Sequence, residues 1–138
     1  MISQSKESDN DYIHKQLRKY NRQYMSNFKN YSFHIKQDPT DENSKIIAGI
    51  VASSTFDTLE VEFLFVDPDY RAKKYGKTLL QHVEQLAKQD NLKRILLNTY
   101  SFQAPDFYKK LGYTELFKIS PCFSDFDQHF FVKNIEQV

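Results

Sequence analysis

"DPDYRAKKYGKTLL", residues 67–80, decides how this chain is read. An apolar run at 58–66, "TLEVEFLFV", ends in Asp67-Pro68, and a basic loop follows with one glycine, Gly76. Arg71, Lys73, Lys74 and Lys77 crowd the start of a helix in which Leu79, Leu80, Val83, Leu86 and Ala87 keep the helical period. The first turn of a helix leaves backbone N–H groups unpaired, and its dipole adds partial positive charge. A strand, a basic loop and a helix N-terminus therefore suit an anion, and a pyrophosphate in particular. Gly76 allows a close backbone approach or a positive φ. Neither G-x-x-x-x-G-K-[ST] nor G-x-G-x-x-G occurs, so this is not a P-loop or a dinucleotide fingerprint.

Outward from this loop, the chain alternates between strand and helix signals. Toward the N-terminus, "TLEVEFLFVD" and "KIIAGIVASSTF" read as strands joined at Asp57-Thr58 by a hairpin. "YSFHIKQD" is a further strand, with "DPTDENS" as its turn. Residues 10–28 predict a helix, because Ile13, Leu17, Tyr20, Tyr24 and Phe28 form one apolar stripe. Lys15, Arg18, Lys19 and Arg22 lie on its other side, and Asn10 or Asp11 would cap it. A weak strand is expected at 2–6. Toward the C-terminus, "KRILLNTY" reads as a buried strand. "QAPDFYKKLG" reads as a short helix with Pro105 in its first turn and Gly112 just past its end. "YTELFKIS" and "QHFFVKNI" are two final strands. The sum is a mixed α/β sheet covered by helices.

The totals allow one domain over residues 1–138. Aromatic residues reach 15 %, all Phe and Tyr, which suggests a core or cleft built on rings. A net charge of +1 argues against nucleic acid or an anionic membrane as partner. The single cysteine, Cys122, excludes an internal disulfide and a multi-cysteine zinc site. The four histidines share no ligand spacing and HExxH is absent, so no metal is expected. "MISQSKESDN" lacks an apolar h-region, and no run approaches membrane-spanning length; the expectation is a cytoplasmic protein.

Two blocks, "LFVDPDYRAKKYGKTLLQHVEQLAK" (64–88) and "NLKRILLNTYSFQAPDFYKKLGY" (91–113), resemble the GNAT superfamily of acetyl-CoA-dependent N-acetyltransferases. The family's [Q/R]-x-x-G-x-[G/A] is matched by Arg71-Ala72-Lys73-Lys74-Tyr75-Gly76. Its A-x-x-x-Y-[E/K]-K-L-G-[F/Y] is matched by Ala104, Tyr108, Lys109, Lys110, Leu111, Gly112 and Tyr113. Lys74 stands where the family usually has glycine, and Ser101 where many members have asparagine. The resemblance implies a fold of α+β type: a mixed, mostly antiparallel sheet of six to seven strands flanked by about four helices.

It also implies a chemistry. An amine attacks the thioester of acetyl-CoA directly, with no metal. Arg71, Ala72, Lys73, Lys74, Tyr75, Gly76 and Lys77 would hold the pyrophosphate, with Ser101, Ala104 and Tyr108 further cofactor contacts. A backbone N–H around Leu64, Phe65 or Val66 would polarise the carbonyl, and the pantetheine arm would pair with that strand edge. Tyr108 would protonate the departing thiolate. The attacking amine must be neutral, and Glu60 or Glu62, two apart and so on one strand face, could take its proton; Glu62 lies nearer the loop. Otherwise the two are solvent-facing strand carboxylates. Tyr20, Asn21, Tyr24 and Tyr31 could line an acceptor pocket, and His129 could face it; packing explains the same residues. The family's members often dimerise, and an exposed edge beside "HFFVKNI" is one candidate. The competing function is a non-catalytic acyl-CoA-binding or sensory module on the same scaffold. A small nucleic-acid-binding domain is a third.

Overall fold

A computed structural model describes residues 1–136. Its helices are α1 (Glu7–Asn21), α2 (Tyr75–Gln89) and α3 (Pro105–Lys110), with a 3-10 helix at Pro68–Lys73. The strands are β1 (Lys29–Asn30), β2 (Phe33–Lys36), β3 (Ile46–Thr55), β4 (Thr58–Val66), β5 (Arg94–Tyr100), β6 (Thr114–Phe123) and β7 (Phe126–Asn134). They form one seven-stranded sheet in the order β1-β3-β4-β5-β7-β6, with β2 also on β3. Every pairing is antiparallel except β4 with β5. This is the α+β fold expected from the sequence.

The two sheet faces differ. One carries Ala48, Ile50 and Ala52 of β3, Leu59 and Val61 of β4, Ile95 and Leu97 of β5 and Phe131 of β7, all buried. The α2 stripe of Leu79, Leu80, Val83 and Ala87 packs on it. Burying each such side chain contributes about 1.5–3 kcal/mol, so this layer is the source of most of the fold's stability. No described helix lies over the opposite face, and Val51, Phe63 and Phe65 stand exposed there.

The N-terminus departs from expectation. Residues 1–6 form no strand. The helix spans 7–21 rather than 10–28, and neither Asn10 nor Asp11 caps it: the Lys6 N–H donates to the Asp9 carboxylate at 2.9 Å. It stops early because Tyr24 and Met25 N–H both bond back to the Asn21 carbonyl, and Asn27 turns left-handed at φ 63°. The stripe is present but buries nothing; residues 7–20 are all exposed. The edge strand beside β7 is β6.

Gly112 turns the chain from α3 into β6 at φ 91°, a conformation that side chains strain. Lys133 crosses it, donating to the Leu111 carbonyl and to Glu84, each at 2.8 Å. Gly112→Ala is expected to lower stability by about 1–2 kcal/mol. Urea unfolding would show a lower midpoint with an unchanged slope; an unchanged midpoint would mean that the turn relaxes freely.

Candidate active site

The site begins where β4 leaves β5. The two strands pair only from Thr58–Arg94 to Glu60–Leu96. Beyond that, β5 stays on β7 as far as Tyr100, while β4 stays on β3 as far as Val66. The sheet therefore splits, and the β5-side edge of β4 at 61–66 is left unpaired. An open strand edge offers backbone donors and acceptors to any amide-bearing chain laid in it. Leu64, Phe65 and Val66 lie on this stretch, Phe65 pointing to the bare face and Leu64 and Val66 packed against the core.

The split leads to the N-terminus of α2. Asp67 holds the connection: its carboxylate accepts from Asp69 N–H at 3.0 Å and pairs with Lys45 at 2.7 Å, and its own N–H donates to the Ile47 carbonyl. Lys45 beside it holds the Asp67 carboxyl below the usual carboxylate range. Asp67 is a positioning residue whose sequence signal is local, since aspartate before a proline that opens a helix is a capping signal. Arg71 Nε donates to the Val66 carbonyl at 3.3 Å, tying the 3-10 helix to the strand end. Lys73 reaches over the Tyr70 ring.

Lys74, not Gly76, takes the left-handed backbone, at φ 61° and ψ 28°. It does so as the N-cap residue of α2, with no side-chain cap, while its carbonyl accepts from Thr78 N–H and Oγ1, both at 3.0 Å. Lysine in place of glycine thus keeps the loop shape at a conformational cost of about 1–2 kcal/mol. Gly76 is helical and serves close packing instead: Val66, Phe107 and Leu64 lie 3.5, 3.7 and 3.9 Å from where its side chain would begin. Strand β4, the first turn of α2 and helix α3 therefore meet at Gly76. No acidic residue occupies that first turn, and Lys74 and Lys77 make no ion pair among the described residues. Tyr75, Gly76 and Lys77 N–H lie before the first intrahelical bond, so the turn presents free donors inside positive charge.

Tyr108 lies on α3, only 7 % exposed, with its ring among Phe107, Tyr113 and Phe131. Burial pushes its phenol up to about 12, and its hydroxyl makes no hydrogen bond among the described residues. The ring is buried while the neutral hydroxyl stays unengaged and open to a ligand or water, so it is placed to donate a proton. Glu84 accepts from both Tyr113 Oη at 3.0 Å and Lys133 Nζ, which locks α3 to α2 and β7. Ala104 precedes the first turn of α3 in a non-helical conformation, at φ -150° and ψ 55°. Ser101 ties β5 to the β6–β7 hairpin, its hydroxyl accepting from Asp127 N–H at 3.0 Å. Gln103 accepts from Thr99 Oγ1 and Tyr100 N–H, shaping the approach to α3.

Glu60 and Glu62 are exposed on the bare face, away from α2. A bulge opposite Val51 and Ala52 makes Glu62 the extra residue of β4. Glu62 lines a shallow hollow with Phe28, Val51 and Ser53; Phe28 read from sequence only as part of a helix stripe. Tyr20 and Tyr24 are exposed, their rings 5.7 Å apart, and Asn21 is half-buried at the helix end.

Two sequence candidates go elsewhere. Tyr31 is 2 % exposed and donates to Asp90 at 2.6 Å, at the far end of α2 and about 22 Å of helix from the anion-binding turn. It is a core residue, because its ring fills the space between β3 and the end of α2. His129 sits on the face that α2 covers, paired with Thr99 across the sheet and bonded through Nδ1 to Glu115. That contact holds the Glu115 carboxyl below its usual range. The sheet thus separates His129 from Glu60 and Glu62. No cluster of three or more His, Cys, Asp or Glu fit for a metal occurs among the described residues, and no described helix is long and apolar enough to cross a membrane.

Residues 3–113 match the Acetyltransferase (GNAT) family. The crystal structure of an acetyltransferase from Bacillus cereus superposes over 97 % of this chain and 96 % of its own, with a TM-score of 0.76 and 32 % identity. The blasticidin-S acetyltransferase of Streptomyces morookaense is 27 % identical over 95 residues, 68 % of this chain and 70 % of that one. A Bacillus anthracis protein assigned as a streptothricin acetyltransferase, solved with acetyl coenzyme A, is 25 % identical. It matches over 67 % of this chain and 57 % of its own, with a TM-score of 0.57.

Proposed function

The chain belongs to the acetyltransferase (GNAT) family, and from that premise we propose that it moves an acetyl group from acetyl-CoA to a primary amine of a small molecule or peptide. The observation that carries this reading is the split between β4 and β5, with a free helix N-terminus at its mouth and Tyr108 among the residues beside it. The pyrophosphate sits on Tyr75, Gly76 and Lys77 N–H, with Arg71, Lys73, Lys74 and Lys77 supplying charge. The pantetheine arm lies along the open edge of β4. Ser101 and Ala104 border it on the far side.

The neutral amine attacks the thioester carbon, and a C–N bond forms as the carbonyl oxygen gains charge. A backbone N–H within 64–66 stabilises that oxygen. The C–S bond then breaks; the sulfur takes the Tyr108 proton, and Glu62, or Glu60 through water, takes the ammonium proton. The products are the N-acetyl amine and coenzyme A. Phe28 joins Glu62 on the acceptor side, whereas Tyr31 and His129 have no part in it. We propose a cytoplasmic enzyme whose one domain spans residues 1–138. The names of the blasticidin-S and streptothricin relatives make small-molecule amines the first acceptors to screen.

Thermal unfolding with acetyl-CoA tests the donor site. At about 100 times the dissociation constant, the ligand should stabilise by about 2.7 kcal/mol, a rise of several degrees in Tm. No shift at millimolar acetyl-CoA would sink the reading. A shift without turnover across a broad amine panel would favour the non-catalytic acyl-CoA-binding alternative.

A further inference from the structure

Two apolar surfaces in this chain lack a partner, and they are of matching kind. One is the α1 stripe of Ile13, Leu17, Tyr20 and Tyr24, which no described element covers. The other is the bare sheet face, where Ile46, Val51, Phe63 and Phe65 line one shallow hollow and Phe28 continues the surface beside Glu62. We propose that α1 of one copy lies on the bare sheet face of a second copy, and that the exchange is reciprocal.

Two observations commit the occupant to a second copy. The first is how α1 is held. Tyr24 and Met25 N–H close a turn onto the Asn21 carbonyl, Asn27 takes a left-handed backbone, and the Ser26 carbonyl accepts from Phe56 N–H at the β3–β4 hairpin. The connecting segment is thus bonded in a course that carries the helix off its own sheet.

The second is area. Tyr20, Tyr24, Phe28, Phe63 and Phe65 are each between 51 and 68 % exposed. At about 200 Å² per aromatic side chain, these five alone leave about 600 Å² of ring surface open in each chain. Reciprocal exchange would cover about 1,200 Å² across a twofold pair, which enters the range of specific interfaces before any aliphatic contact is added. The interface is isologous: stripe on face and face on stripe. Lys15, Arg18, Lys19 and Arg22, opposite the stripe, stay in solvent.

The exchange also completes the acceptor side, a consequence that rests on the acyl-transfer reading above, whereas the interface itself does not. Glu60 and Glu62 lie on the face that receives the helix. The partner's Tyr20 and Tyr24 would then wall the space beside these carboxylates, which the chain's own α1 leaves open.

Sedimentation and cross-linking of the full chain test the proposal without any substrate. The wild-type chain should be a dimer at micromolar concentration. Leu17→Glu and Phe63→Glu should each yield a folded monomer by circular dichroism, while Lys15→Ala stays dimeric. In a Cys122→Ser background, chains bearing Leu17→Cys mixed with chains bearing Phe63→Cys should join through a short bismaleimide. A monomeric wild type, or a dimer that survives both glutamate substitutions, overturns the proposal. So does a chain carrying both new cysteines that links only to itself.

Discussion

Tyr108→Phe is expected to lower kcat about 100-fold, or about 2.7 kcal/mol in barrier, with KM for acetyl-CoA within about twofold. The substitution removes one hydroxyl and keeps the ring among Phe107, Tyr113 and Phe131, so the fold and the donor site survive. Among the described residues the Tyr108 hydroxyl has no hydrogen-bond partner, whereas the other two buried phenols are engaged: Tyr113 donates to Glu84 and Tyr31 to Asp90. Its raised pKa, about 12, keeps the proton on oxygen through physiological pH. The thiolate that leaves the tetrahedral intermediate is basic enough to need a proton, and this is where it would find one. Steady-state assays that follow the released thiol, with an acceptor from the amine screen, measure the effect. Wild-type kcat in the phenylalanine variant between pH 6 and pH 10 would show that Tyr108 is a packing residue.

Alkaline unfolding should be unusually steep. Tyr31 and Tyr108 are both held at about 12 by burial, with the Asp90 carboxylate adding to the effect at Tyr31. Burial and the neighbouring Glu84 push Tyr113 higher still. A group whose pKa is raised in the folded state favours folding while both states are protonated. Below pH 10 the contribution is therefore complete. Above pH 10 the unfolded phenols ionise first, and stability is lost as the pH rises toward 12. Losing both contributions removes a substantial part of the stability of a small domain, which is about 5–15 kcal/mol. Tm should hold steady from pH 7 to pH 9.5 and then fall sharply. Tyrosinate absorbance should show the three buried phenols ionising only as the chain unfolds. Three phenols that ionise near pH 10 in a chain still folded would mean that they are open to water.

Much of the donor side was legible in the sequence because it is local. The leucine period of α2 buries Leu79, Leu80, Val83 and Ala87 and half-buries Leu86, and the basic loop before it does open a helix. Gly112 ends α3 with a positive φ, as its place after the helix required. The motif at 71–76 sets the expected anion site at the turn that opens α2; of the two roles open to Gly76, close approach is the one it takes, and the left-handed backbone falls on Lys74. Local spacing cannot say which residue of a loop turns left-handed; that is set by how the loop must re-aim the chain from strand to helix.

The acceptor side was less legible. Tyr31 and Tyr24 look alike in sequence, an aromatic near the end of a polar stretch. One is sealed by an aspartate 59 positions away and the other stands in water. His129 alternates along its strand as Phe131 does, so sequence alone could not choose its face. The same limit hid the failure of α1 to pack, since a stripe marks a surface to be covered without naming what covers it.

By itself, the sequence determined the order of elements from residue 33 onward, the long helix with its basic N-terminus, and the short tyrosine-bearing helix that ends in glycine. Each of these follows from contacts within a few residues. Only the tertiary structure decided where β4 parts from β5, which tyrosines are buried, which sheet face carries Glu60 and Glu62, and that this face lies open. Those outcomes depend on pairing and packing between segments far apart in the chain, where many near-equal local choices are settled by which arrangement buries the most apolar surface.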